Sequence, residues 1–351
     1  MEFESEYRWP GVTYNAIRVL EEVPQRYPFR SHIYRSTFEV SGFPFCRRIE
    51  LYSIAEPGKR ALILDTGHPD LCGFEALDGV EKTLRIPWSN IEVFLSHFHD
   101  DHDGNLLYCV QKGASKLYSG PTQIDSRALI DNFLVLSSSA DLKSDSASSF
   151  IRLVAAGKKA QTCTQGSRIE LHGGETLSIA GYHFDVLLTP GHTSNHLCLL
   201  DKSKKIFFAG DHICDAPPGC MQYAINDHLI ARYLESLAQL KEQNLQAVYM
   251  CHHNPLRGSF EINRFISLIE GRYETLVIRA RKLFADHEEL TVREAAIVAA
   301  AHYPRGLEGF PVSTQINRIA TIFGTLEYLY DLGLLTRFIN DEGALVYRRS
   351  W

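Results

Sequence analysis

Hydrophobic and polar positions fall into short strand-like runs through the first part of the chain and into long helical ones toward its end. Arg48 to Ile54 (RIELYSI) alternates, and Ala61 to Leu64 (ALIL) is a short apolar run closed by Asp65-Thr-Gly67. The pair reads as a β-hairpin with a functional turn at its far end. Ile91 to Leu95 (IEVFL) is a further strand, followed by a helix over Asn105 to Lys112 and a strand over Lys116 to Tyr118, so αβ alternation emerges. Between Arg168 and Leu200 the runs SRIEL, ETLSIAG, YHFDVLLTP and HLCLLD are separated by glycine turns at Gly173-Gly174 and Gly181. Lys205 to Ala209 and Ala247 to Cys251 add two strands, with a helix over about Leu229 to Glu242 between them.

Two stretches depart from this pattern. SSSADLKSDSASS, over 137–149, is polar and poor in large apolar groups, which marks a surface loop or the edge of an inserted helical segment, with a helix at 125–136 beside it. Beyond Pro255 the period becomes helical. Glu261 to Ala285 carries apolar residues at helical spacing, Thr291 is positioned to N-cap VREAAIVAAAHY, and Ser313 to Leu332 forms a strongly apolar helix ending at Gly333. TRFINDEGALVYRR then reads as a hairpin around Asp341-Glu-Gly343. Two helices and a hairpin outline a winged helix, so the expected organisation is a main domain over 1–260, a connecting helix over 261–285 and a winged-helix-like domain over 286–351.

Composition narrows the function classes. A chain of 351 residues exceeds what one core usually serves, and 45% hydrophobic with 22% charged residues is that of an ordinary soluble protein. A net charge of -6 and a pI near 6.2 give no global attraction to nucleic acid or anionic membrane, which favours a small-molecule substrate. The start MEFESEYRWPGVTYN has neither a basic region nor an apolar one, and no run of about 18 apolar residues follows, so the expectation is a cytoplasmic protein. Eight scattered cysteines without a CxxC pair suit reduced thiols.

The chemistry concentrates at strand ends. In SHFHDDHDGN, His97 and His99 share one face of a strand end and can grip one ion together, while Asp101 and His102 aim back from a turn toward a second. A polar surface loop is the plain alternative. It weakens because three more strand ends carry complementary groups: TPGHTSNH with His192 and His196, GDH with Asp211 and His212, and CHHNP with His252 and His253. Eight of the 15 histidines lie in these four segments, as a metal site at a sheet edge requires.

With LDTG at 64–67, HFHDDH at 97–102, TPGHT at 189–193, AGD at 209–211 and CHHNPLRG at 251–258, the chain resembles the metallo-β-lactamase superfamily over roughly residues 10 to 260. The resemblance implies an α/β fold, a four-layer αββα sandwich carrying a catalytic domain, followed here by the small helical, winged-helix-like unit. It also implies a ligand set: His97, His99 and His192 for one metal, Asp101, His102 and His252 for the other, and Asp211 bridging both. His252 and His253 are adjacent and both remain candidates; aligning Pro255 and Gly258 with the family segment favours His252 and leaves His253 to flank the pocket. His196 resembles a histidine that orients a neighbouring ligand or loop, with a buried structural role as its alternative. Asp65 is a turn or supporting residue rather than a ligand, and Asp100 fills a variable position.

That ligand set implies hydrolysis. Two divalent ions about 3.5 to 4 Å apart share a water, lower its pKa and present hydroxide to a carbonyl or phosphorus centre, with Asp101 as the catalytic carboxylate that holds the nucleophile's proton or orientation. Zinc is the first choice, while the mixed nitrogen and oxygen ligation also accepts iron or manganese. TPGHTSNHLCL looks most like the glyoxalase II branch, which hydrolyses thioesters, although no counterpart to its glutathione-binding basic residues is identifiable. The leading expectation is therefore a dinuclear-metal hydrolase of a small ester, thioester or lactone. The flavodiiron branch is disfavoured because it carries a glutamate where His99 stands, and a mononuclear-iron sulfur dioxygenase is a lesser alternative. A metal-dependent nuclease or phosphodiesterase and a non-catalytic metal or ligand sensor are the other classes. From Asp286 onward six basic residues face nine acidic ones, a net of -3, which argues against phosphate binding by the tail and for packing, homodimer formation or pocket closure. The acyl and leaving groups depend on loops such as CDAPPGCMQY and the 120–150 insert.

Overall fold

The computed structural model describes residues 11–24, 31–43, 46–121, 168–214, 225, 227–310, 312–341 and 343–351. The helix read at 125–136, the polar stretch 137–149 and residues 215–223 of the CDAPPGCMQY loop lie outside them.

Strands β1 (Thr13–Glu22), β2 (Ile33–Ser41), β3 (Arg48–Glu56), β4 (Arg60–Leu64), β5 (Ile91–Phe94), β6 (Lys116–Ser119) and β7 (Arg168–Glu170) lie side by side in chain order. Pairing is antiparallel from β1 to β4 and parallel from β4 to β7. Parallel neighbours need a crossover, which comes after α1 (Pro69–Cys72) from α2 (Glu75–Lys82) for β4 to β5. After the single turn α3 (Asp100–Asp103), α4 (Leu106–Lys112) serves β5 to β6. The β3–β4 hairpin matches the alternation that announces it. Asp101 and His102 lie on a helical turn rather than in a loose one.

The second sheet runs β13 (Leu256–Arg257), β12 (Ala247–Tyr249), β11 (Ile206–Phe208), β10 (Leu197–Asp201), β9 (Tyr182–Leu188) and β8 (Thr176–Ile179). Its central strands are buried on both faces, which is why they read as apolar runs rather than alternating ones. On β10, Leu197 and Leu199 face the first sheet's Ile54, Leu62 and Phe94, whereas Cys198 and Leu200 face α5 (Leu229–Glu242) and α6 (Ser259–Leu283). On the far side, Val93 and Leu95 pack under Leu77, Val80 and Leu106 of the crossover helices. Each such fully buried aliphatic or aromatic side chain contributes about 1.5–3 kcal/mol. Helix, sheet, sheet and helix therefore stack as the four-layer sandwich that the motifs imply.

C-terminal to α6, strand β14 (Glu289–Thr291) leads into α7 (Val292–Ala300), α8 (Val312–Asp331), β15 (Leu335–Ile339) and β16 (Leu345–Arg349), and the strands pair in the order β14-β16-β15. Thr291 does cap α7, in a reciprocal capping box with Glu294. These elements share a core of Phe284, Leu290, Phe323, Leu326 and Tyr347. The buried Glu327 carboxylate inside it is held by Arg337 and Tyr347. Helix α8 also reaches back to the main body, where Asp331 meets His228 at 2.8 Å beside the start of α5. Among the described residues no helix is long and apolar enough to cross a membrane.

Candidate metal centre

The chain ends of β4, β5, β9, β11 and β12 open toward one edge of the sandwich, and every histidine-bearing motif follows one of them. After β5, Leu95 still pairs with Tyr118, and Ser96 then turns the chain toward the edge. Asp65, at the end of β4, receives that turn: its carboxylate accepts from Ser96 N at 2.7 Å, from Ser96 Oγ at 2.8 Å and from His102 Nδ1 at 2.9 Å. Committing Nδ1 of His102 to a carboxylate leaves its Nε2 lone pair facing the centre. His97 Nδ1 is committed in the same way to Ser96 Oγ at 3.0 Å. His252 Nδ1 is committed to the Arg48 carbonyl at 3.0 Å.

The remaining ring atoms converge. His97 Nε2 and His192 Nε2 each lie within 3.0 Å of His99 Nδ1, at 3.0 and 2.9 Å. One hydrogen cannot serve both of those neighbours, whereas one cation would accept all three lone pairs. On the other side, His252 Nε2 is 3.2 Å from Asp101 Oδ2 and 3.3 Å from Asp211 Oδ2. Asp211 spans the two groups, with Oδ1 3.4 Å from His102 Nε2 and Oδ2 3.6 Å from His192 Nε2. His102 Nε2 and Asp211 Oδ1 are buried without a hydrogen-bond partner. Orphaned buried polar atoms are costly unless something satisfies them.

Titration behaviour fits the same donor set. Burial, with His102 and His99 beside it, holds His97 well below the usual imidazole value, and burial followed by His99 pushes His192 down to about 3. These rings are neutral donors. Burial also opposes the charged form of His102 and His252, but Asp211 foremost, with Asp101, outweighs it and raises both. Two carboxylates therefore compensate positive charge on that side, whether it is carried by protons or by a metal ion. Buried imidazole and carboxylate donors at these separations fit divalent cations. Candidate groups are His97, His99 and His192; His97, His102 and Asp211; Asp65, His102 and Cys251; and Asp101 and His252 together with Cys46.

All seven residues expected as ligands thus meet in one constellation. The adjacent pair separates: His252 points in, while His253 turns its Nδ1 to the Asn254 carbonyl at 2.7 Å and its ring toward Phe265, outside every candidate group. His196 is fully buried; its Nδ1 meets Thr189 Oγ1 at 3.0 Å and its Nε2 accepts from Asp211 N at 3.2 Å, so it fixes the backbone that carries Asp211. Gly210 makes this fit possible, because at φ 49° a Cβ there would stand 2.7 Å from Ser96 and 2.9 Å from His196. His212 bonds Ser236 Oγ at 2.6 Å and belongs to no candidate group.

Sequence reasoning missed three contributors. Ser96 links Asp65 to His97 and could have been suspected from its place between strand and motif. The buried Glu50 carboxylate gathers Arg35, Arg48 and Thr37, while its backbone N–H bonds the Cys251 carbonyl at 2.7 Å and Arg35 reaches Asn254, which together moor the 251–254 loop. Cys46, ahead of β3, carries no local signal.

The model of the metallo-beta-lactamase superfamily matches residues 49–252. The lactamase-like protein adaB of Aspergillus niger is 24% identical over 198 residues, 56% of this chain and 47% of that protein, so the chain spans about half the length of the curated relatives it matches. A beta-lactamase domain protein from Burkholderia ambifaria has a TM-score of 0.69 at 16% identity, covering 91% of this chain and 92% of that one. A metallo-beta-lactamase family protein from Thermus thermophilus has a TM-score of 0.62 at 18% identity, covering 91% and 98%. Both structures share the fold.

Proposed function

The chain belongs to the metallo-beta-lactamase superfamily, and from that premise we propose that it is a dinuclear-metal hydrolase of a small ester or thioester. The observation that carries this reading is the convergence of His97, His99, His192, Asp101, His102, His252 and Asp211 on one point at the sheet edge. His97, His99 and His192 would hold one ion, Asp101, His102 and His252 the other, and Asp211 would join them. Bound divalent ions supply Lewis acidity and a nucleophilic water near neutral pH.

The chain's own groups do the rest. Asp65 and the Arg48 carbonyl lock the His102 and His252 rings, so the donors need no reorganisation. Asp101 stands at the mouth of the centre, partly exposed beside His252, where its free carboxylate oxygen can take the nucleophile's proton and orient it toward an acyl carbon. Zinc is the ion we propose first; iron and manganese also suit mixed nitrogen and oxygen ligation with a shared carboxylate.

A nuclease is the second class. Against it, four of the tail's six cations are engaged within the chain: Arg337 on Glu327, Arg348 on Glu289, Arg349 on the Phe284 carbonyl and Arg318 over Phe310. We read residues 286–351 as a packing module that steadies the start of α5 rather than a nucleic-acid reader. The test is a panel of thioesters, esters, lactones and phosphodiesters with the metal-loaded full chain. Turnover confined to acyl substrates, with Asp211→Ala losing metal and activity together, is the expected result; a phosphodiester preference, or full activity in Asp211→Ala, would sink the proposal.

A further inference from the structure

We propose that Cys46 is a sulfur ligand of the ion on the Asp101/His252 side, an inference that rests on the two-ion reading above. Of the six described cysteines five are buried, and Cys46 alone is partly exposed. It sits where the β2–β3 connection closes, with Val40 N bonded to the Arg47 carbonyl at 2.9 Å and the Arg48 carbonyl taking His252 Nδ1 at 3.0 Å. The segment that fixes the His252 ring therefore also presents the thiol to it. Cys46 Sγ, an Asp101 oxygen and a His252 nitrogen lie within 4.8 Å of one another. Donors bound to one tetrahedral zinc at about 2.0–2.3 Å are about 3.3–3.8 Å apart, so this group needs only a small contraction to close on an ion.

A second observation points to the same place independently of the thiol. His102 Nε2, 3.9 Å from Asp101 Oδ2, and Asp211 Oδ1, 3.4 Å from His102 Nε2, belong to residues more than nine-tenths buried and have no hydrogen-bond partner; they group with His97 in the cluster that adjoins this one. Packing alone does not explain the thiol's position. Cys46 only borders the apolar cluster of Phe38, Val40, Ile49 and Leu71; the buried Cys251 also meets a carboxylate and an imidazole, those of Asp65 and His102, but Cys46 is the described cysteine that stands partly exposed beside Asp101 and His252. When an ion binds, the S–H bond breaks, a sulfur–metal bond forms and the proton leaves to solvent.

The two ion positions then differ in kind. One is built from three imidazoles and a carboxylate, the other from two imidazoles, carboxylates and a thiolate. Soft sulfur favours zinc or cobalt over manganese or magnesium at the second position. The sulfur-bearing ion would also be the one beside Asp101, at the mouth of the site.

Cobalt(II) titration of the chelator-treated full-length chain, followed by absorption, tests this without any substrate. Two equivalents should bind, with a near-ultraviolet sulfur-to-cobalt charge-transfer band saturating with only one of them. Cys46→Ser should erase that band, keep the visible ligand-field bands, and weaken one equivalent by roughly tenfold or more, while Cys251→Ser keeps the band. Two cobalt ions bound with no charge-transfer band, or a band that survives Cys46→Ser, would overturn the cysteine ligand and leave the two-ion centre standing. A folded chain that binds no cobalt would overturn both.

Discussion

Asp65 orients His102 by accepting from its Nδ1 at 2.9 Å. It holds a left-handed φ of 58°, a conformation that aspartate tolerates better than most side chains. There its two oxygens collect Ser96 and His102, so a single carboxylate aligns one ring directly and, through Ser96, the His97 ring as well. Asp65→Asn keeps the shape but removes the charge and one acceptor. Metal affinity should fall about 10- to 100-fold with the fold intact, as read by chelator competition; an unchanged affinity would show that the orientation of His102 has another source. At this scale much of the candidate site is legible in the sequence, because each of the seven residues expected as ligands lies within a few residues of a strand end. Cys46 and Glu50 are not, because what matters about them is which distant loop they meet.

Among the elements, buried strands announce themselves and exposed ones do not. β10 and β12 are apolar on both faces and read easily, whereas β1 carries exposed Ile17 and Val19 and is defined by its pairing with β2. α3 escapes notice because one turn of DDHD has no apolar period. The turn between β10 and β11 shows how a polar residue secures the sheet behind the site. Asp201 accepts from Ser203 Oγ at 2.6 Å, Lys204 N at 2.8 Å and His183 N at 3.1 Å. Burial alone would raise its carboxyl, but these hydrogen bonds outweigh burial and hold it below the usual value. A folded pKa below the unfolded one means that its stabilisation is present in full above about pH 4 and is lost as pH falls through the folded value. Asp201→Asn should cost about 1–3 kcal/mol at neutral pH, and the gap to wild type should narrow in strong acid. Urea melts at the two pH values measure it, and a gap that persists in acid would refute the assignment.

For the whole molecule, the sandwich brings five strand ends to one edge and the C-terminal elements brace the far side of α5 and α6. Short apolar strands alternating with helices give the α/β character, the four-layer order is what the resemblance implies, and the structure bears both out. The β14 strand that completes the C-terminal sheet was not legible, since Glu289–Thr291 offers only one buried apolar side chain. Ions that bind the folded chain and not the unfolded one stabilise it by mass action, about 2.7 kcal/mol for each site at a free concentration 100 times Kd. Removing metal with a chelator should therefore lower Tm, and restoring divalent ion should recover it; a Tm indifferent to both would mean that no ion bridges these strand ends.

If one constellation holds two ions on separable sides, elemental analysis of the purified chain and its single variants will show it. Wild type should carry two equivalents of divalent metal, His192→Ala and His252→Ala should each lose one, and His253→Ala should lose none. A folded wild type with no metal, or a His252→Ala protein that keeps both equivalents while His253→Ala loses one, would contradict it.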